Sequence, residues 1–109
     1  MAYDLGLAQR IREEMAGYPD LSEKEMFGGI GFMLGGNMAC GVIQDEMIVR
    51  VGPEKHAQAL EEQHTRVFDF TGRSMKGWVM VGSQGYEDDA ALRRWVQWGA
   101  GFANSLPPK

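Results

Sequence analysis

A glycine-rich run of alternating apolar segments, within residues 25–51, constrains the fold of this chain more than any other feature. Two apolar segments, residues 30–34 and 38–43, flank Gly35 and Gly36. A glycine pair between such segments favours a β-hairpin, because the central residues of a primed turn need positive φ angles. A third apolar segment, residues 47–51, follows a short polar connection of hairpin length. The run therefore predicts an antiparallel β-meander.

Strict alternation along the meander assigns its side chains to the two faces of the sheet. It places Cys40 and Val42 on one face and Ala39 and Gly41 on the other. The small size of Ala39 and Gly41 predicts that a helix lies close above them. Arg50 is expected to point to water.

A first strand is expected over residues 23–27, before Gly28 and Gly29 interrupt its regularity. Glycines inside a strand pattern indicate a bulge, a bend or the close approach of another backbone. A phosphate-binding loop is the alternative, but it requires a helix N-terminus directly after the glycines. A strand pattern follows instead, which favours a structural role for both glycines.

Apolar residues at helical spacing predict a helix near each end of the chain. Between residues 4 and 17 they recur every three or four positions, with Asp4 as the N-cap and Gly17 as the stop. After a connection over residues 82–86, the last helix opens at Glu87 and carries a broad apolar stripe. This stripe predicts the main contact between helix and sheet.

The segment between the meander and the last helix predicts one more helix and two more strands. The helix, opened by a proline, is expected over residues 54–62 with Ala57 and Leu60 directed inward. Alternating residues predict a strand over 66–70, and a second strand at the end of the segment 75–81. The sheet would then hold five or six strands.

These elements predict an α+β fold, a mostly antiparallel five- to six-stranded sheet with helices packed on one face. A length of 109 residues predicts a single domain spanning residues 1–109. Apolar stretches shorter than ten residues predict no membrane span. A single cysteine and an acidic start without an apolar block predict a cytoplasmic protein.

Few residues suggest chemistry. Cys40 could be a nucleophile or a redox switch, but its place on a strand favours a small core residue. His56 and His64 lie eight residues apart, which fails the four-residue spacing of a helical metal pair. We therefore predict no catalytic residue, no metal site and no cofactor.

The chain resembles the N-terminal domain of the TfoX/Sxy family of competence regulators in its segments 24–43, 47–51 and 75–79. A structural role explains the matching motif positions as well as a functional one; they are Met26, Phe27, Gly28, Gly29, Lys76, Gly77 and Trp78. The resemblance implies a YjbR-like α+β domain, without catalytic residues, in a family that controls the transcription of DNA uptake genes. Full-length members carry a C-terminal domain with helix-hairpin-helix character, which we expect this chain to lack.

Our first hypothesis is a non-enzymatic regulatory module that acts by contacting another protein, with transcription machinery as the partner that the resemblance suggests. Eight methionines could form an adaptable apolar surface, or they could simply fill the core. We expect the contact surface to include Met75 and Trp78. Trp98, at the margin of the last helix's stripe, could join that surface or form a two-fold contact in a homodimer.

The alternative hypothesis is nucleic-acid binding. Cations lie close to aromatic residues in one segment, a pattern that can combine phosphate contacts with base stacking; they are Arg66, Arg73 and Lys76, interleaved with Phe68, Phe70 and Trp78. The formal net charge of −4 works against this hypothesis, because cations supply most of the affinity for phosphate.

A third hypothesis is an enzyme or a small-ligand carrier. Acid–base groups are present, but the sequence shows no pairing that would tune their pKa values or position a nucleophile. These groups are Glu25, His56, Asp69 and Lys76.

Overall fold

The glycine-rich meander forms the centre of a six-stranded sheet in the computed structural model of the chain, which describes residues 3–26, 28–69 and 75–108. The strands are β1 (Leu21–Met26), β2 (Gly29–Leu34), β3 (Asn37–Ile43), β4 (Glu46–Arg50), β5 (Thr65–Val67) and β6 (Trp78–Val81). Their order is β1-β2-β3-β4-β6-β5, and every neighbouring pair is antiparallel. The helices are α1 (Leu5–Glu14), α2 (His56–Leu60), α3 (Ser83–Tyr86) and α4 (Asp89–Asn104), and a 3-10 turn at Pro53–Lys55 precedes α2. The predicted α+β class is confirmed.

The first hairpin turns at Gly35 and Gly36, whose φ angles are 59° and 84°. Both angles lie in the left-handed region that a primed turn needs, so the glycine pair fixes this turn as predicted. In the second hairpin Gln44 takes the positive angle, with φ at 54°. The carbonyl of Gln44 accepts a hydrogen bond of 2.7 Å from the amide of Asp4, which ties the start of the chain to the sheet.

The described helices cover one face of the sheet, as predicted. Their buried side chains and those of the facing strands form the main core, whose largest fully buried members are Trp95, Phe32, Ile11, Met15, Met47 and Leu92. A second, smaller cluster lies on the opposite face and holds no residue of the described helices. It consists of Ile43, Ile48, Phe68 and Met80, with Met38, Met75 and Trp78 packed against it in partly buried positions.

A bulge at Ala39 breaks the strict alternation of β3. Phe32 pairs with Cys40 whereas Met33 pairs with Met38, so Ala39 is an extra residue in the ladder. Ala39 and Cys40 consequently both belong to the main core.

The prediction that a helix lies above Ala39 is therefore right, and the same prediction for Gly41 is wrong. A Cβ atom on Gly41 would lie 2.7 Å from the methyl group of Met38, on the opposite face. Alternation failed here because nothing in the sequence marks the inserted residue.

The two longer helices follow their capping signals at the N-terminus. Asp4 caps α1 by accepting a 3.0 Å hydrogen bond from the amide of Leu7, as predicted. The predicted stop at Gly17 is wrong, because α1 ends at Glu14 with Met15 as its C-cap. Asp88 caps α4 through the amide of Ala91, one residue after the predicted opening.

The middle of the chain departs further from the sequence prediction. Helix α2 buries Ala59 and exposes Ala57, so the predicted inward position of Ala57 is wrong. The preceding 3-10 turn explains this, because its tighter winding rotates the residues that follow. Leu60 is partly buried, as expected.

Two further differences concern short elements. Residues 82–86 contain α3 instead of only a connection, and a single helical turn is too short to show an apolar period. Strand β5 spans Thr65–Val67, whereas a strand over residues 66–70 was predicted. The carbonyl of Phe68 accepts a 3.0 Å hydrogen bond from the amide of Met75, while Phe70 lies outside the described residues.

Replacement of two glycines of α4 with alanine should change the free energy of unfolding in opposite directions. A Cβ atom on Gly99 would lie 2.3 Å from the carbonyl oxygen of Ala39, so Gly99→Ala forces the helix away from β3. We expect a loss of about 2–3 kcal/mol in the free energy of unfolding, from overpacking against backbone. A Cβ atom on Gly101 would meet open space, with no neighbouring atom within 4 Å, so Gly101→Ala should add about 0.5–1 kcal/mol through helix propensity.

Urea unfolding of both variants measures the two changes. Equal effects of the two substitutions would contradict the close contact between α4 and β3.

Candidate functional site

A turn at the end of β4 brings two distant segments of the chain together. The amides of Val51 and Gly52 both donate to the carbonyl oxygen of Gly77, over 2.8 and 3.0 Å. Gly52 and Gly77 have φ angles of 90° and 92°, which residues with a side chain rarely adopt. The backbone of residues 50–55 is therefore fixed beside that of residues 76–78.

Arg50 lies at this junction between two aromatic rings. The central carbon of its guanidinium is 5.0 Å from the ring centre of Trp78 and 5.3 Å from that of Phe102. Both contacts are cation–π interactions at ordinary distances. Arg50 was expected to point to water, and the residue is partly exposed, with two rings packed beside its guanidinium.

An open groove of about 520 Å³ lies next to this junction, between the 3-10 turn and the C-terminal half of α4. Gly101 lines the groove, and a Cβ atom there would meet no other atom within 4 Å. The ring of Phe102 packs directly on Gly52, where a Cβ atom would lie 2.5 Å from a ring carbon. The other groove residues are Val51, Pro53, Glu54, Lys55, Gln97, Trp98 and Ser105.

Trp98 forms one wall of the groove. It stacks on the buried ring of Trp95, with ring centres 5.3 Å apart and planes 9° from parallel. Trp95 is only 1% exposed and belongs to the core, whereas Trp98 is partly exposed. Stacking on the buried ring of Trp95 therefore fixes the ring of Trp98 at the surface of the protein. We call the surface formed by Arg50, Lys55, Lys76, Trp78, Trp98 and Phe102 the aromatic–basic corner.

The corner gathers cations that lack a carboxylate partner. Five arginines of the described residues form ion pairs elsewhere, namely Arg10, Arg12, Arg66, Arg93 and Arg94. Within the same residues Arg50, Lys55 and Lys76 form none, and neither does Lys24 on β1. Glu54 is the one carboxylate among the groove residues. The corner is therefore basic although the chain carries a net charge of −4.

Arg66, proposed from the sequence as a phosphate ligand, is already neutralised. Its guanidinium donates two hydrogen bonds to the carboxylate of Glu46, over 2.6 and 3.1 Å, and a third to Asp69 over 3.4 Å. The hydrogen bonds to Glu46 raise the pKa of Arg66 further. The structure therefore does not join Arg66 to the corner.

The other residues proposed from the sequence divide between three places. Lys76, Trp78 and Trp98 belong to the corner, and Trp78 also packs, together with Met75, against the second cluster on the face opposite the helices. Neither Met75 nor Trp78 is fully buried or fully exposed. Arg73 lies outside the described residues.

The glycines of the motif at residues 26–29 are required by the backbone conformation and by close packing. Gly28 has a φ angle of 76°, and a Cβ atom on Gly29 would lie 2.3 Å from the carbonyl oxygen of Val42. Strand β2 begins at Gly29, so no helix N-terminus follows these glycines. The methyl group of Met26 lies 3.2 Å from a Cβ position on Gly31. Phe27 lies outside the described residues.

The chemically interesting side chains do not come together elsewhere in the described chain. Its residues contain no group of three His, Cys, Asp or Glu side chains that could hold a metal ion. A second depression of about 400 Å³ is lined by Glu46, His64 and Arg66, with Thr65, Gly82, Ser83 and Gln84. Among the described residues that line it, the only arginine or lysine is Arg66, which is already bound to Glu46. No described helix is long and apolar enough to cross a membrane.

The order of the elements and the central glycine-rich meander define an α+β domain. Its distinctive sequence motifs, the glycines above all, have structural roles. A family model described as the TfoX N-terminal domain matches residues 13–103 of the chain. The chain belongs to this family, as the sequence resemblance indicated. A search of curated proteins finds no match, and a search of solved structures finds none either.

Sequence reasoning missed Arg50 and Phe102. They are 52 positions apart in the chain, and the alternation of β4 gave no sign that Arg50 meets an aromatic ring of the last helix. The one usable signal was Trp78, which pairs directly with Arg50 across β4 and β6.

Cys40 should behave as an inert core residue. Its side chain is fully buried with Sγ 3.7 Å from the sulfur of Met15, and burial raises the pKa of the thiol to about 12. Alkylation by iodoacetamide at pH 8 should therefore follow global unfolding, because the thiolate is the reacting form. Mass spectrometry of native and urea-treated protein measures this, and rapid labelling of the native protein would contradict it.

The same pKa shift predicts a loss of stability in alkaline solution. The raised pKa stabilises the fold below about pH 9, and this contribution is lost progressively up to about pH 12. At pH 10 the thiol should cost the fold about 1.5 kcal/mol relative to pH 7. Cys40→Ala should lose that much less between the two pH values, and equal losses in urea unfolding would contradict the shift.

Proposed function

We propose that this chain is a non-enzymatic regulatory module that acts by contacting another protein through the aromatic–basic corner. Family membership suggests a competence-related regulatory role. The observation that carries the proposal is the groove beside Trp98 and Phe102, where partly exposed aromatic rings lie next to cations without carboxylate partners. Tryptophan and arginine are the residue types that most often dominate the energy of protein interfaces.

The shape of the corner favours an inserted side chain over a flat contact. Ordering costs at this site are low, because Trp98 is stacked on Trp95 and Phe102 is packed on Gly52 before any partner arrives. The groove volume suits one or two large side chains. A partner segment that fills it would remove both half-exposed rings from water.

The charges of the edge strand β1 argue against a homodimer built by pairing two copies of β1. In a two-fold antiparallel pairing of β1, residues that face each other must point to the same side of the sheet. Glu23 would then face Glu23 or Glu25 of the second copy in the two most extensive registers. Like charges in direct opposition destabilise such a pair, which supports a partner of different sequence.

Nucleic-acid binding is the second candidate, supported by the cations Arg50, Lys55 and Lys76 without carboxylate partners. The net charge of −4 opposes it, and so does the pairing of Arg66 with Glu46. A duplex would also leave the apolar groove unused.

Site-specific photo-crosslinking tests the proposed contact. We expect p-benzoylphenylalanine in place of Lys55 to give one defined adduct with another protein in cells that naturally contain this chain. The same photoreactive residue in place of Gln9, exposed on α1, should not give that adduct. With the purified partner, Lys55→Glu should weaken binding about tenfold, measured by calorimetry, because it reverses a charge in the contact.

Lys24→Glu is the matched control for Lys55→Glu, since Lys24 is also exposed and without an ion pair but lies on β1. It should leave the affinity unchanged. Equal adducts from positions 55 and 9 would contradict the proposal, and an adduct between two copies would replace it with a homodimer. Binding to mixed-sequence DNA that falls steeply with salt, followed by fluorescence anisotropy, would favour the second candidate.

A further inference from the structure

We infer that the aromatic–basic corner recognises a carboxylate presented beside an apolar side chain, so that its partner is an acidic segment of a protein. This inference rests on the proposed function, because it specifies the chemistry of the segment that occupies the groove. It is carried by Arg50, by the shape of the groove and by the balance of charge around both.

Arg50 has two aromatic rings beside its guanidinium and no hydrogen-bond acceptor among the described residues. Trp78 and Phe102 lie 5.0 and 5.3 Å from its central carbon. Arginine carries five N–H donors in one plane, and neither ring offers them an oxygen or nitrogen acceptor. No side chain or backbone group of the described residues accepts a hydrogen bond from Arg50.

The other arginines of the described chain show how unusual this is. Arg12 donates to both oxygens of Glu23, over 2.6 and 2.8 Å, and Arg66 does the same with Glu46. Arg10, Arg93 and Arg94 each reach one carboxylate. Arg12 and Arg94 also lie over aromatic rings, but each keeps a carboxylate partner. Arg50 is the one described arginine that has ring contacts and no carboxylate, which makes its charge available to a group from outside the molecule.

The N–H donors of a guanidinium form a planar fork, and its preferred ligand is a planar anion. A carboxylate accepts two parallel N–H bonds from a guanidinium, and such charge-assisted pairs are stronger than neutral hydrogen bonds. The two rings limit the motion of Arg50, so less side-chain entropy is lost on binding. Partial burial also makes water a poorer substitute for the anion than it is at an exposed arginine.

The apolar part of the ligand follows from Phe102, which takes part in both halves of the corner. Its ring touches Arg50 and also lines the groove with Val51, Pro53 and Trp98. A carboxylate bound at Arg50 would therefore lie about one ring width from an apolar side chain in the groove. The two features suit adjacent residues of one segment.

Charge complementarity favours an acidic partner. The corner holds Arg50, Lys55 and Lys76 without carboxylate partners, on a chain with a net charge of −4. An approaching acidic segment is attracted here and repelled by most of the remaining surface, which directs it to this site. Glu54 on the groove wall opposes a second carboxylate at its end of the groove. One acid next to one apolar residue fits this arrangement.

Titration of the full chain with small probes tests the inference, followed by two-dimensional NMR of indole and arginine N–H signals. The probes are N-acetyl-Phe-Glu-amide, its Phe-Gln counterpart, N-acetyl-phenylalanine with a free carboxylate, and inorganic phosphate. We expect the Phe-Glu probe to shift the signals of Trp78, Trp98 and Arg50, and to bind at least about fivefold more tightly than Phe-Gln. The free-carboxylate probe distinguishes a chain terminus from an acidic side chain.

Three variants identify the group that reads the carboxylate. Arg50→Gln should abolish the preference for Phe-Glu over Phe-Gln, and Arg50→Lys should keep only part of it because the fork is lost. Arg93→Gln removes one positive charge near the N-terminal end of α4, where Arg93 pairs with Glu14 outside the groove, and should retain the full preference. Thermal unfolding checks that each variant is folded, and Arg50→Lys carries the test if Arg50→Gln is not.

Several results would overturn the inference. These are equal binding of Phe-Glu and Phe-Gln, an absence of shifts at about 10 mM probe, shifts away from the corner, and phosphate binding as tight as that of Phe-Glu. The photo-crosslink at position 55 separates this failure from that of the proposed function. An adduct whose partner segment lacks Asp and Glu would remove the inference and leave the function, whereas the absence of an adduct would remove the function itself.

Discussion

The contact between Gly99 of α4 and the bulged Ala39 of β3 determines where the other side chains of α4 lie relative to the sheet. Because neither residue has a bulky side chain, helix and strand backbones approach until a single added methyl group would clash. At this distance Trp95, one turn before Gly99, is sealed in the core. Phe102, nearly one turn after it, reaches past the end of β4 to Arg50. The aromatic–basic corner therefore forms because the backbone of α4 packs close to the backbone of β3.

Much of this fold could be predicted from local signals in the sequence. The turn at Gly35 and Gly36, the cap at Asp4 and the apolar stripe of the last helix each depend on residues close together in the chain, and each formed as expected. The bulge at Ala39 and the phase of α2 were missed. In both cases one residue or one tight turn shifts the register, and neither leaves a compositional trace.

The candidate site was harder to predict, because it depends on which cations find partners. Arg66 and Arg50 look alike in sequence, each next to apolar residues at a strand. Glu46, twenty positions from Arg66, neutralises Arg66, whereas Phe102 and Trp78 lie beside the guanidinium of Arg50 without accepting a hydrogen bond from it. Ion pairs and cation–π contacts between distant segments are properties of the folded chain. No spacing rule could assign them.

The burial of Cys40 has a practical consequence for physical studies of this protein. The single thiol of the chain stays protonated and covered in the native state, so it does not compete with a thiol placed on the surface. A cysteine introduced at an exposed site, such as position 9 or 55, can then carry a spin label or a fluorophore alone in the wild-type background. Distances from the corner to a bound partner become measurable without first removing a residue from the core.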